Sequence, residues 1–449
     1  MYNREKIIKF GLEKELFSNV HKLDKDDDLI NQYRVKLDKI VLYLNYVNSD
    51  FYKQKQYSSD VISFIIYVNR KIIESLENYM EGNYSTAKNI VIDIVKNYKM
   101  ISKELISTLE VGKKRFTINL REYYNYKKKQ DSMIYQRFYK ARNIQSANNL
   151  RLSEMFHIPF DKRYLISNQR FSINGFPCLY LGTSSLCCLQ ELGGIPDQNF
   201  HLSTFQLDKE MKFLYLNYSL YNYYRTYDEN DENKWKFTEK VDEFNQDEFN
   251  KFYKELDVRE YLVDLNSSID IYKVIRNINT VNYTTELMLF LPLLISVSFK
   301  VEDSDNYNFK LDYIFPQLLM DALKDDEGID GVAYLSCKIG EQRMEDMYTN
   351  PAILHTNLAI PARYDPLIDS KYSSTLINHI KLTAPITFST FKNIKSRNQF
   401  PNITIVDDYA YLGTHVKYSD TEYWDFDNYR LSQFRLPVNS RVGIFKKLV

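Results

Sequence analysis

Between residues 58 and 80 the apolar positions Val61, Phe64, Ile65, Val68, Ile72 and Leu76 recur at three- and four-residue spacing, the period of one helix face. Ser58 or Ser59 suits the N-cap of such a helix and Gly82 its stop. Ser85 opens a second helix, with Ile90, Val91, Ile94, Val95 and Tyr98 on one side. Two helices joined by so short a connection are expected to pack antiparallel. Residues 1–128 therefore read as an N-terminal helical bundle. No chemistry-bearing side chains cluster in it, which fits a scaffold or a homo-oligomer contact.

Beyond the run Lys127, Lys128, Lys129, Gln130, Asp131 the pattern changes. Consecutive like charges prefer solvent, so this run reads as a boundary, with a phosphate-binding patch as the alternative. From 129 to 395 short strands alternate with short helices, predicting an α+β domain, and 396–449 reads as a C-terminal extension packed on it. The polar run Asp228, Glu229, Asn230, Asp231, Glu232, Asn233 reads as an exposed loop. The most apolar stretch, Leu287 to Phe299, contains Pro292 and falls short of the roughly 20 residues that span a bilayer, so it is expected to be buried core.

Length and charge narrow the picture further. A chain of 449 residues exceeds what one core usually organises, so two domains are expected. Lysine plus arginine equals aspartate plus glutamate at 59 each, so no overall field draws the chain to nucleic acid or an anionic membrane. The four cysteines have neither a disulfide-scaffold nor a zinc-ligand spacing, and point to a reducing, cytoplasmic setting. Charges interrupt the apolar positions of MYNREKIIKFGLEKELF, unlike an export signal. No G-x-G-x-x-G or P-loop pattern occurs, and neither a metal nor a bound cofactor is implied.

The chemistry concentrates in Gly175 to Gly194. Gly175 and Pro177 mark a turn, and Cys178, Leu179, Tyr180, Leu181 form a short strand ended by Gly182. Ser184 or Ser185 can cap a two-turn helix that Gly193 closes, with Glu191 in its last turn. A carboxylate there meets the negative end of the helix dipole, so something else must favour it. Taken singly, Glu191, Tyr180 and Arg170 each read as a surface acid, a core aromatic and a surface charge.

Their joint arrangement resembles the RES domain, a bacterial toxin family that degrades NAD⁺. The resemblance rests on the ten-residue step from Arg170 to Tyr180, the strand GFPCLYLG, and Glu191 eleven residues on. Downstream, Tyr313-Ile-Phe-Pro-Gln-Leu-Leu-Met starts a helix with Pro316 in its first turn, and Gly328-Ile-Asp-Gly leads into Val332 to Ser336. Ser336 falls where the family's serine is expected. Arg137-Phe-Tyr-Lys-Ala-Arg142 looks like the family's opening strand, departing from it at Lys140, where an arginine is common. Gln-Arg-Phe-Ser replaces the compact toxins' Gly-Arg-Trp-Asn around Arg170, and Phe156 to Ser172 looks more like the longer members with an N-terminal helical extension.

The resemblance covers roughly residues 130 to 395 and implies an ADP-ribosyltransferase-like fold with NAD⁺ as substrate. It implies cleavage of the nicotinamide–ribose bond, by hydrolysis or phosphorolysis, with transfer of ADP-ribose to a macromolecule, or a non-catalytic regulatory module, as alternatives. Under it, Glu191 stabilises the cationic ribose, Arg170 grips the pyrophosphate or ribose, and Tyr180 stacks on nicotinamide. Ser336, Arg142 and Lys140 would bind the dinucleotide, with Arg163 adding positive potential. An antitoxin or another regulatory protein is the implied partner. His157 and His201 read as structural, and Cys187 and Cys188 as core thiols.

Overall fold

The computed structural model describes residues 8, 11–12, 15–17, 21–25, 27–48, 57–106, 117–119, 138–145, 150–172, 175–208, 211–216, 246–254, 270–278, 283–301, 309–338, 356–369, 371–397, 411–412, 416–417 and 421–432. The lysine run at 127–129 and the acidic run at 228–233 lie outside them. Numbered along the chain, the helices used below are α1 (Leu29–Asn48), α2 (Ser59–Met80), α3 (Tyr84–Ile106), α4 (Ser185–Glu191), α5 (Gln246–Lys254), α6 (Ile271–Asn277), α7 (Tyr283–Ser298), α8 (Ile314–Leu323), α9 (Ser374–His379), α10 (Phe388–Arg397) and α11 (Glu422–Ser432). The strands are β1 (His21–Leu23), β2 (Thr117–Asn119), β3 (Phe138–Asn143), β4 (Cys178–Gly182), β5 (Phe200–Leu207), β6 (Lys212–Leu216), β7 (Phe299–Val301), β8 (Gly331–Leu335), β9 (Thr356–Pro361), β10 (Ile380–Leu382) and β11 (Ile386–Thr387).

Contacts divide the chain into two compact units, Met1–Phe116 with Tyr221–Ala322 and Glu341–Glu345, and Thr117–Leu220 with Leu323–Gly340 and Asp346–Val449. Tyr221–Ala322, which the sequence reading assigns to 129–395, thus clusters with the N-terminal helices. The reason lies in α7, whose residues from Met288 to Ile295 are buried without a polar side apart from the fully buried Ser296 that follows. A helix apolar all round needs cover on every side, and α1 and α2 pack against it.

In the first unit Ser58 caps α2 by accepting the Val61 N–H, and Gly82 at φ 84° allows the chain to turn into α3. The apolar stripe of α2 predicted from spacing is the buried one: Phe64, Ile65, Val68, Ile72 and Leu76 are all fully covered. Pro292 interrupts the hydrogen-bond ladder of α7. One turn back, the hydroxyl of the buried Tyr98 on α3 donates to the Leu289 carbonyl at 2.5 Å, so the weakened stretch gains a side-chain donor. Among the described residues no helix is long and apolar enough to cross a membrane.

The second unit is α+β. Its mixed sheet runs β10-β5-β3-β4-β9-β8-β6-β2, with β11 also on β5. The β6–β8 pair is parallel and the other pairs are antiparallel. Directly paired residues share a face. Tyr139 pairs with Gly182 and Thr204, Gly182 with Asn357, and Asn357 with Tyr334. That face carries α4, α10 and α11, joined by a core of Tyr139, Cys188, Phe200, Leu202, Phe388 and Phe426. Alternation sends Lys140 and Arg142 to the opposite face, beside Ser203 and His201.

That opposite face holds a buried histidine. His157 is fully buried and neutral, its Nδ1–H donating to the Ile158 carbonyl at 2.8 Å and its Nε2 accepting the Ser373 N–H at 3.0 Å. Burial lowers its pKa to about 4, with the nearby Lys140 charge adding to the effect. The unfolded chain therefore binds the proton first, near pH 6.5. Stability from this group is complete above pH 6.5 and is lost as pH falls toward 4, by an amount on the order of 3 kcal/mol. Equilibrium urea unfolding of His157→Gln should show a shallower loss between pH 6.5 and 4 than the native chain. Equal slopes would refute the assignment.

Candidate functional site

Helix α4 starts where sequence places it, with Ser184 Oγ accepting the Cys187 N–H at 3.0 Å. It ends at Glu191, where Gly193 and Gly194 take φ near +75°, a backbone state that suits glycine. Gly182 at the end of β4 lets the helix lie against the sheet. A Cβ there would stand 3.1 Å from Cys188 Sγ and 3.4 Å from Cys187 Cβ. Gly182→Val would force α4 outward, costing about 1–3 kcal/mol. A lowered Tm in the variant tests this, and an unchanged Tm would mean that the helix yields freely.

The carboxylate that α4 delivers is pinned on one oxygen. Glu191 is exposed, yet its Oε1 accepts the Ser336 hydroxyl at 2.5 Å and the Asn357 Nδ2–H at 2.6 Å. Both donors are buried, at 0% and 5% exposure, so the acid is fixed to the interior through one atom. These two charge-assisted bonds offset the unfavourable helix-end position. Ser336 is itself spent. Its hydroxyl gives its proton to Glu191 and accepts the Lys338 N–H at 3.2 Å.

Arg170 occupies a two-residue turn between Gln169 and Ser172, whose backbones exchange hydrogen bonds of 3.1 and 3.2 Å. The Tyr180 hydroxyl ties this turn to β4 by accepting the Phe171 N–H at 3.2 Å and donating to Ser172 Oγ at 3.1 Å. Phe171 is fully buried, its ring 4.5 Å from that of Tyr334. Arg170 is 9% exposed, a nearly covered cation. Tyr334 sits among all three groups. Its phenol is driven well above its ordinary pKa by burial first, then by the Glu191 charge and the neighbouring Tyr180 phenol, while Arg170 opposes them.

The structure thus brings together Arg170, Tyr180, Glu191 and Ser336, and adds Asn357, Ser172 and Tyr334, which sequence reasoning missed. It does not bring Lys140 or Arg142 to this cluster. Both point from the other sheet face, where Lys140 donates to the Phe156 carbonyl at 2.8 Å. Burial, then Arg142, lowers the Lys140 pKa to about 7. Burial also lowers that of Arg142, with Glu154 opposing. Arg163 lies over the rings of Phe160 and Tyr364, its Cζ 5.0 and 5.2 Å from their centroids. Burial, then the Glu191 charge, holds the Cys187 thiol protonated, and Cys188 is likewise pushed up by burial, so neither is a ready thiolate. Among the described residues no group of three or more His, Cys, Asp or Glu could hold a metal ion.

No family model matches the sequence, and no solved structure matches it. A Bacillus subtilis (strain 168) protein named "Putative toxin YopC" is 34% identical over 273 residues. The match takes in 60% of this chain and 50% of that protein, so the chain spans about half the length of the curated relative it matches.

Proposed function

We propose that the second unit cleaves the nicotinamide–ribose bond of NAD⁺ and that the protein is a toxin acting by NAD⁺ depletion. The observation that carries the reading is the Glu191 carboxylate, held on one oxygen by two buried donors, with Oε2 bearing no hydrogen bond among the described residues. It stands in one cluster with a buried arginine and a tyrosine, in the spacing that resembles the RES domain. The name of the Bacillus subtilis relative supports the toxin part.

The chemistry asks little of the protein as an acid. The C–N bond breaks with its electron pair going to nicotinamide, which leaves neutral, while positive charge grows on the ribose. Glu191 Oε2 accepts a ribose hydroxyl and stabilises that cation electrostatically, as in other oxocarbenium-like reactions. Water then bonds to the anomeric carbon and releases one proton, giving ADP-ribose, nicotinamide and H⁺. The Arg170 guanidinium holds a phosphate or ribose oxygen, and the ring of Tyr180 stacks on nicotinamide. Ser336 serves by holding Glu191.

Incubating purified protein with NAD⁺ labelled in the adenylate half, and following free nicotinamide and label transfer separately, tests the reading. Nicotinamide released in step with free ADP-ribose is the expected result. Label retained on a macromolecule would move the reaction to transfer, and release of neither product would end the catalytic reading.

A further inference from the structure

Asn357 lies at the second position of β9, 166 residues from Glu191 in sequence, and no motif points to it. From its place in the sheet we infer that Asn357 is a positioning residue, which with the thiol of Cys187 aims the Glu191 carboxylate so that Oε2 alone meets the substrate. This inference rests on the NAD⁺-cleaving reading of the site.

Three contacts form a directed chain. Cys187 and Glu191 are four residues apart on α4, hence on one helix face. The Cys187 thiol donates to Asn357 Oδ1 at 3.2 Å, and burial keeps that thiol protonated. With Oδ1 taken by a donor, the amide can turn only its Nδ2 toward Glu191, where the bond is 2.6 Å. Ser336 reaches the same oxygen from the end of β8. Among the described residues Oε1 thus has two donors and Oε2 none, so the carboxylate has one rotation and one open acceptor. An exposed glutamate on a two-turn helix would otherwise sample several rotamers, and a misaimed carboxylate loses the cation-stabilising contact. Gly182 pairs directly with Asn357 and carries no side chain, which lets the Cys187 turn of α4 lie against that strand.

Two variants separate positioning from mere support. Asn357→Ala should lower kcat for nicotinamide release by about tenfold while KM stays within about twofold, because the lost contact matters to the charge that grows in the transition state. Asn357→Asp places a second carboxyl at hydrogen-bonding distance from Glu191. The first charge disfavours the second, so one carboxyl of the pair gives up its proton above the ordinary range, and the acidic limb of the pH–rate profile should move up by about one unit or more. A loosened fold would lower activity without moving that limb. A carboxyl ¹³C titration of Asn357→Asp beside the native chain needs no activity, and should show the pair sharing a proton that is lost above the ordinary carboxyl range. If both carboxyls ionise in the ordinary range, Asn357 does not address Glu191 and the inference fails. If the titration shows the shared proton but no nicotinamide is released by the native protein, the contact stands and the NAD⁺ reading fails.

Discussion

Glu191→Gln should lower nicotinamide release by roughly 10²–10³-fold, with the Tm close to that of the native chain. The substitution keeps the size of the side chain and removes its charge, but the hydrogen bonding makes the effect sharper than loss of charge alone. Ser336 and Asn357 both donate to Oε1. A glutamine must therefore put its carbonyl oxygen at that position to keep them, which turns its NH₂ group to the open side. There a donor with partial positive charge faces the ribose cation in place of an anionic acceptor. If the amide flips instead, its NH₂ meets two donors and the side chain is released. Either orientation loses the transition-state contact; the first keeps both buried donors paired and, at an exposed residue, keeps the cost to folding small. Parallel measurement of kcat and Tm checks both halves. Native-like turnover by Glu191→Gln would remove Glu191 from the chemistry, and a large fall in Tm would leave the kinetic loss without a chemical meaning.

Local physics made much of this site legible in advance. Ser184, the strand Cys178–Gly182 and the glycine stop after Glu191 are read from caps, alternation and backbone preference, and each concerns residues within a few positions of one another. The same holds for α2, where spacing identified the buried stripe from Phe64 to Leu76. What escaped depends on pairing between distant segments. Alternation on β3 separates Lys140 and Arg142 from Tyr139 and Ala141, but which pair faces α4 follows from the register of Tyr139 with Gly182, which neither segment encodes alone. Asn357 is hidden for the same reason, being one polar residue in the strand TNLAIP until β4 and α4 stand beside it. Ser336 was found at a strand end, yet its role as a ligand for Glu191 needed the β8–β9 pairing. The placement of α7 is a further case, since its composition says that it is buried and leaves open by what.

Arg170→Lys should lower kcat/KM for NAD⁺ by about 10- to 100-fold, mainly through KM, because an ammonium cannot present the planar fork that meets two anionic oxygens at once. The geometry of the turn extends this expectation to a residue with no charge. The Tyr180 hydroxyl holds Phe171 N–H and Ser172 Oγ, the positions flanking and closing the turn that carries Arg170. Tyr180→Phe keeps the ring and deletes both contacts. If Tyr180 acted by stacking alone, this variant would behave like the native chain; if its hydroxyl aims Arg170, KM should rise as it does for Arg170→Lys, by a smaller factor. The double variant decides between additive and shared effects. Losses that act through the same guanidinium should not multiply, so Arg170→Lys with Tyr180→Phe should bind NAD⁺ little worse than Arg170→Lys alone. Multiplying losses would make the tyrosine an independent contact and the hydroxyl a bystander. The outcome bears on the order in which the site is built, because the turn, closed by its two backbone bonds, is tied through that hydroxyl to the strand that leads into α4.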